Sequence, residues 1–344
     1  MNGSALAKRI ALSLGVHTLQ TTPYVAIAGL LAKYTLLPVL GAVLILAAML
    51  FCLLALTRAI IASEQVSLSS SSTPKRPVPF GLVATFAATS STSWVAHMAT
   101  IERLGANVGV AAILASGVLT MWLARIAFRT ERHKGPSVTA LGLASGLVVV
   151  ALVIITRTHD RFNGLAHPVS GAGSYSYELV PVLIVPVLIL LLGVAVSSVL
   201  RTILTDPEEA TLRGHAPIRA WTIVGVEIIS AALVATLLNI HLDGGATLYA
   251  LLPASLDPRQ WTRDHWILLW VGVVNTFIGV VWLTKLTNLI GVPLAAAVGQ
   301  SRPVIAELLQ VIFGMTAVTL TTLVDLSASC CLLFLAAHIL SSRR

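Results

Sequence analysis

Long apolar runs, each interrupted by a few polar residues, recur ten times along the chain. They lie at roughly Ile10–Leu31, Leu36–Ile61, Phe80–Thr100, Val108–Phe128, Ser137–Ile155, Leu179–Ile203, Ile218–Ile240, Trp266–Leu286, Leu289–Phe313 and Ala317–Leu340. About 20 residues at roughly 1.5 Å apiece cross the hydrocarbon of a bilayer, so each run is long enough to span as a helix. The runs are continuous and do not alternate, which excludes the pattern of barrel strands. Between the second and third lies SEQVSLSSSSTPKRPVP, a Ser/Pro-rich linker with no apolar period. Arg157–Glu178 and His241–His265 form two further long loops, and LYALLPASL in the second suits a segment lying along the interface.

The polar interruptions fall in registers. His17, Gln20, Thr21 and Tyr24 follow i, i+3, i+4, i+7 and share one face of the first span. Ser90, Ser93, Trp94 and His97 do the same in the third. The ninth holds Gln300, Arg302, Pro303 and Glu307 at its middle. A charge at such depth costs about 2.5–3.5 kcal/mol on insertion scales. These groups are therefore expected to face protein or a watery chamber at the centre of the bundle, since lipid offers them nothing.

Charge sets the topology. With ten spans both ends share a side, and fifteen of the 22 Lys and Arg residues fall there, among them Lys8, Arg9, Arg125, Arg201, Arg213 and Lys285. Six fall opposite: Lys33, Arg103, Arg157, Arg161, Arg259 and Arg263. Basic residues concentrate on the cytoplasmic side, so both termini are expected in the cytoplasm of a cell (inner) membrane. The net charge of +8 then reflects topology and needs no nucleic-acid partner. Composition agrees: 56% of residues are hydrophobic, 10% are charged, and mean hydropathy is +0.90. No ordinary soluble domain has these values. Cys52, Cys330 and Cys331 all sit in apolar runs, two of them adjacent, and imply no disulfide framework. Met1–Lys8 shows no cleavable signal.

Two stretches resemble each other at constant offset. LGANVGVAAILASG from Leu104 to Gly117 lies over IGVPLAAAVGQSRP from Ile290 to Pro303. The first is in the fourth span and the second in the ninth. An offset of five spans inverts one half relative to the other, as in many secondary carriers. The expected organisation is a first five-helix repeat over 1–156, an extracytoplasmic connecting loop over 157–177 and a second repeat over 178–344.

On these residues the chain resembles the drug/metabolite transporter superfamily, the ten-helix carriers built from two inverted five-helix halves. The resembling stretches are GVAAILASG (Gly109–Gly117), ARIAFRTE (Ala124–Glu131), GLASG (Gly142–Gly146) and AAAVGQSRP (Ala295–Pro303). Gly117 stands where members usually carry proline. The resemblance implies an all-α polytopic fold and secondary transport of a small organic metabolite by alternating access.

The polar positions give that expectation candidate residues. His17, Gln20, Thr21, Tyr24, Ser90, Trp94, Asn275, Gln300 and Arg302 are expected along a substrate path. Trp94 and Tyr24 would meet an apolar or aromatic part of the cargo. Arg302 suits a carboxylate or phosphate, or else neutralises Glu227 or Asp325. It lies roughly 140° round the helix from Glu307 and so does not pair with it along one face. Glu227, Glu307 and Asp325 are the acids within spans. Glu307 and Asp325, at similar depth on neighbouring helices, would together bind and release a proton, suiting proton-coupled export. Static ion pairing is the alternative for each. Glu208, Glu209, Arg213 and His215 read as a solvated charge run. His159, Asp160 and His167 lack the spacing of a metal site.

Amino-acid-like, anionic or amphiphilic solutes fit this chemistry, as do lipid-linked or phosphorylated ones. The partners expected are membrane lipids, protons and the small-molecule substrate, with no cofactor. The rival classes are an intramembrane enzyme and a non-transporting membrane subunit. No H-E-x-x-H occurs, Asp325 is the one aspartate within a span, and Asp206-Pro207-Glu208-Glu209 matches a metal–pyrophosphate cluster poorly, so enzyme activity is not expected.

Overall fold

The computed structural model describes residues 8–19, 30, 33–65, 79–104, 106–128, 135–163, 180–255, 257–302, 304–305, 308, 312 and 319–341. Of these 88% are helical and none is in a strand, so the fold is all-α. We label the helices α1 (8–19), α2 (Leu36–Gln65), α3 (Phe80–Leu104), α4 (Ala106–Ala127), α5 (Val138–Asn163) and α6 (Val180–Thr205). There follow α7 (Pro207–Leu212), α8 (Ala220–Asp243), α9 (Ala246–Leu251), α10 (Arg263–Ile290), α11 (Val292–Gly299) and α12 (Leu320–Ser341). Five stretches are long and apolar enough to cross a membrane: Leu36–Arg58, Val185–Thr205, Ala220–Leu242, Arg263–Ile290 and Leu323–Ser341. Leu53, Leu143, Leu188, Leu233 and Phe334 point outward from their helices, an apolar surface that water would not tolerate over so many elements. The chain has the character of an integral membrane protein.

Small residues set the helix spacing. Where hydrocarbon surrounds a bundle, close backbone approach and dispersion replace hydrophobic collapse as the source of association. Ala144, Val148 and Ala151 of α5 pack on Leu326, Leu333 and Ala336 of α12, and Ser329 Oγ reaches the Ala151 carbonyl at 3.4 Å. Met121 of α4 and Leu294, Ala297 and Val298 of α11 complete that core. A second core joins Ala47 and Phe51 of α2 to Val224 and Ile228 of α8 and Phe277 of α10. Gly272 brings α10 so near α2 that an added Cβ would lie 2.8 Å from the Val43 carbonyl oxygen.

The pairings come in related sets. Helix α2 packs on α8, α4 on α11 and α5 on α12; α3 meets α8 as α2 meets α10, and α4 meets α5 as α11 meets α12.

Several boundaries differ from those read in the sequence. Helix α5 runs on to Asn163, eight residues past Ile155, so Arg157 to Arg161 are helical and the expected connecting loop begins inside a helix. The Ser/Pro-rich linker lies mostly outside the described residues. In the loop after α8, Gly244 and Gly245 take φ of +68° and +78°, a left-handed turn that glycine adopts without strain. Helix α9 then buries Leu248 and Leu251 against Val39, Val43 and Leu46 of α2 while Tyr249 stays exposed. Helix α10 is one helix with a π-helical middle, Val271–Gly279, and Gly291 at φ +82° turns the chain from it into α11.

The charge run after α6 is not simply solvated. Asp206 caps α7 by accepting from the Glu208 and Glu209 amides, while Glu209 and His215 are buried. Arg213 lies 3.8 Å from Glu209 and donates at 2.8 Å to the carbonyl of Ala127, at the end of α4.

The Gly272 contact yields a test of the packing. Its neighbour there is backbone and cannot rotate away, so Gly272→Ala should destabilise the protein by about 1–3 kcal/mol. A lowered melting temperature in detergent, beside an unchanged one for Gly142→Ala (which has open space), is the expected outcome.

Candidate functional site

The site is built on a break in the helix that follows Gly291. Helix α11 stops at Gly299, where the Gln300 amide turns back to the Ala297 carbonyl at 3.2 Å and the Ser301 amide to that of Val298 at 3.0 Å. Regular bonding resumes with the Ile305 amide on the Ser301 carbonyl at 2.9 Å. The sequence supplies the cause. Pro303 has no N–H for the carbonyl of Gly299 four residues earlier, and the residue before a proline resists helical angles. Pro303 itself lies outside the described residues.

Two side chains leave this break in different directions. Gln300 is buried against α4 at Gly117, where a Cβ would collide with its amide nitrogen. Its Nε2 reaches the Ala296 carbonyl at a long 3.4 Å, and its Oε1 is buried with no hydrogen-bond partner among the described residues. An orphaned buried acceptor costs about 1–3 kcal/mol, which packing alone would not retain. Gly117 is thus the hole that admits Gln300.

Arg302 turns to α1. Its Nε donates to Nδ1 of His17 at 2.8 Å, and the imidazole is buried. The side chain absent at Gly299 leaves room for that ring, since a Cβ there would stand 3.7 Å from it. Because a guanidinium only donates, Nδ1 must be the accepting nitrogen. Three polar residues singled out from sequence, His17, Gln300 and Arg302, therefore converge where α1, α4 and the end of α11 meet. Ser116, beside Gly117, is buried as well.

The other candidates take separate places. Ser90 donates to Oε1 of Glu227 at 2.8 Å, and one nitrogen of Arg201 lies 2.7 and 2.6 Å from the two oxygens of Glu227. Arg201 also covers the ring of Phe86 at 5.7 Å. This knot ties α3, α6 and α8 together, and it gives Glu227 to Arg201 and not to Arg302. Trp94 packs on Leu40 and Leu44 of α2 and Ala231 and Ala235 of α8, beside an apolar void of about 10 Å³. Asn275 is half-buried in the π-helical stretch, and Asp325 is half-buried on α12. Gln20, Thr21, Tyr24 and Glu307 lie outside the described residues.

A wet chamber was the expected destination of the polar stripes, and the described residues take them elsewhere. His17 and Gln300 are shut into a contact between helices, and the α3 stripe faces α2, α6 and α8. The prominent hollow, of about 680 Å³, lies between α1 and α10 and is walled by Ala11, Leu12, Val16, Leu19 and Ile278. Among the described residues no group of three His, Cys, Asp or Glu side chains is placed to hold a metal.

Sequence reading named His17 and Arg302 without pairing them, because 285 positions separate them and no local pattern records the contact. It also counted Arg201 as a basic residue at a helix end. Its partnership with Glu227 carries no periodic signal, since the two residues lie on different helices.

No known family's sequence profile matches this chain, and no curated protein matches it. A solved crystal structure of a protein superposes on it with a TM-score of 0.64, covering 98% of each chain at 11% identity. At that identity the likeness concerns the fold.

Two variants separate the roles of these clusters. Glu227→Gln keeps the shape of the knot and strands the Arg201 charge, so stability should fall by roughly 3 kcal/mol, the lower end for a broken buried pair because both partners retain some exposure. Gln300→Leu removes an unsatisfied acceptor at similar volume and should leave the melting temperature unchanged or raised.

Proposed function

We propose that this chain is a ten-helix secondary carrier of the drug/metabolite type, moving a small organic solute by alternating access between two inverted five-helix halves. In this reading both termini are cytoplasmic and the membrane is the cell (inner) membrane. Helix α1 to the end of α5 forms one half. Helix α6 to α12 forms the other, with α7 and α9 as short connectors.

The observation that carries the reading is the broken helix with His17, Gln300 and Arg302 gathered at it. Interrupted spans place main-chain carbonyls and polar side chains at mid-depth, where a carrier holds its cargo and a merely structural helix has no use for them. The paired packing relations give independent support. If each helix is exchanged for the one five spans away, α4 on α11, α5 on α12 and α2 on α8 map onto themselves. The contact of α3 with α8 likewise maps onto that of α2 with α10.

The cluster stands in an occluded arrangement. Arg302 holds α1 to α11, and release of that bond opens a way to Gln300. The cargo brings an N–H or O–H to Gln300 Oε1 and an anionic group to Arg302, as an amino acid or related metabolite does. Glu227 is held in its ion pair, which leaves Glu307 and Asp325 as the carboxylates for proton coupling and export.

Purified protein in liposomes with an imposed pH gradient tests this. Solute flux from a metabolite panel is expected, and Gln300→Leu should lower it at least tenfold while the fold persists. Glu307→Gln or Asp325→Asn should abolish gradient-driven flux and spare counterflow. Absence of flux throughout, with hydrolase or transferase activity in its place, would overturn the reading.

A further inference from the structure

The large hollow between α1 and α10 has two chemically different ends. Its walls are Ala11, Leu12, Gly15, Val16 and Leu19 on one side and Ile278, Gly279 and Trp282 on the other. At one end Lys8 joins the lining, and the Lys285 ammonium stands 5.9 Å from the centre of the Trp282 ring. Arg9, next to Lys8, donates to the carbonyl of Leu289 at 3.1 Å and so closes the same end. Three cations thus gather around one mouth of an otherwise apolar trough. Lys8 and Lys285 are both exposed.

The corresponding seam between α3 and α6 is shut. Shifting by five spans carries α1 and α10 onto α6 and α3. There Gly193 of α6 sits so close to Ser93 of α3 that no Cβ would fit, whereas Gly15 on α1 has nothing within 4 Å. The trough is therefore a place where one helix pair stands apart while its counterpart touches. Its walls are almost wholly apolar, which suits an acyl chain.

We infer that this trough is a binding site for an anionic phospholipid of the surrounding bilayer. One acyl chain lies between Leu12, Gly15, Leu19 and Ile278, and the phosphate is held by Lys8 and Lys285. Trp282 sits at the boundary with its ring on the apolar side, the usual place of an interfacial aromatic. The basic end belongs to the side richer in Lys and Arg, where a leaflet bearing negative lipid attracts basic residues. The inference needs membrane embedding and not carriage, so it stands or falls separately from the proposed function.

Native mass spectrometry of the full chain, taken from nanodiscs of equal phosphatidylglycerol and phosphatidylcholine, tests it. Retained lipid should be predominantly phosphatidylglycerol. Lys8→Gln and Lys285→Gln should each weaken its retention about fivefold and leave phosphatidylcholine unchanged. Gly15→Trp fills the trough and should displace the retained lipid, with an unaltered melting temperature in detergent confirming the fold. Equal retention of the two lipids by the unmodified protein would overturn the inference. So would phosphatidylglycerol retention unaffected by both lysine substitutions, or by Gly15→Trp in a folded protein.

Discussion

A guanidinium inside a helix bundle has to find acceptors within the protein, and much of this bundle is arranged around the contact that Arg302 makes with His17. Its bond to His17 draws α1 onto the break after α11. The same break buries Gln300 against α4. Three helices distant in sequence are thereby fixed by polar contacts gathered at one helix interruption. The second polar knot, Arg201 with Glu227 and Ser90, joins three other helices on the same principle. Each knot answers the cost of charge in hydrocarbon with protein partners, and the apolar helices between them can then pack through small residues.

The two knots differ in what they leave unmet. Both oxygens of Glu227 are engaged by Arg201, whose Nε is buried with no hydrogen-bond partner among the described residues, so the ion pair is made while one donor stays over. Around the break, Gln300 presents an acceptor that its own neighbours among the described residues do not use. The unmet group of Gln300 stands at a helix interruption and that of Arg201 within an intact helix, and this difference of place is the reason the carrier reading rests on Gln300.

Much of the fold was legible because hydrocarbon imposes a simple rule on composition. The apolar runs of the second, sixth, seventh, eighth and tenth spans coincide with the long apolar helices. His17, Gln300 and Arg302 were each conspicuous as polar residues where none is welcome. What could not be read was who meets whom. Contacts such as Arg302 with His17 or Arg201 with Glu227 depend on helix rotation and tilt, which a single chain's periodicity leaves undetermined. The polar stripe of α3 was legible as a stripe, yet its meaning reversed. Ser90 bonds to Glu227 and Trp94 fills an aliphatic gap, so a pattern that suggested a watery path proved to be interhelical packing. The continuation of α5 to Asn163 was missed because polarity rises after Ile155, although helical bonding tolerates polar residues once the chain leaves the apolar layer.

Arg213 bears on how such a molecule can move. It belongs to the segment between α6 and α8, yet its guanidinium is spent on the Ala127 carbonyl at the end of α4 and on Glu209. The short α7 is consequently anchored to a helix from the other half of the chain. A tilt of α4 must drag α7 with it, and α7 is joined covalently to the ends of α6 and α8. Any shift of α4 against α6 is therefore geared at this face, with one arginine serving as the tooth.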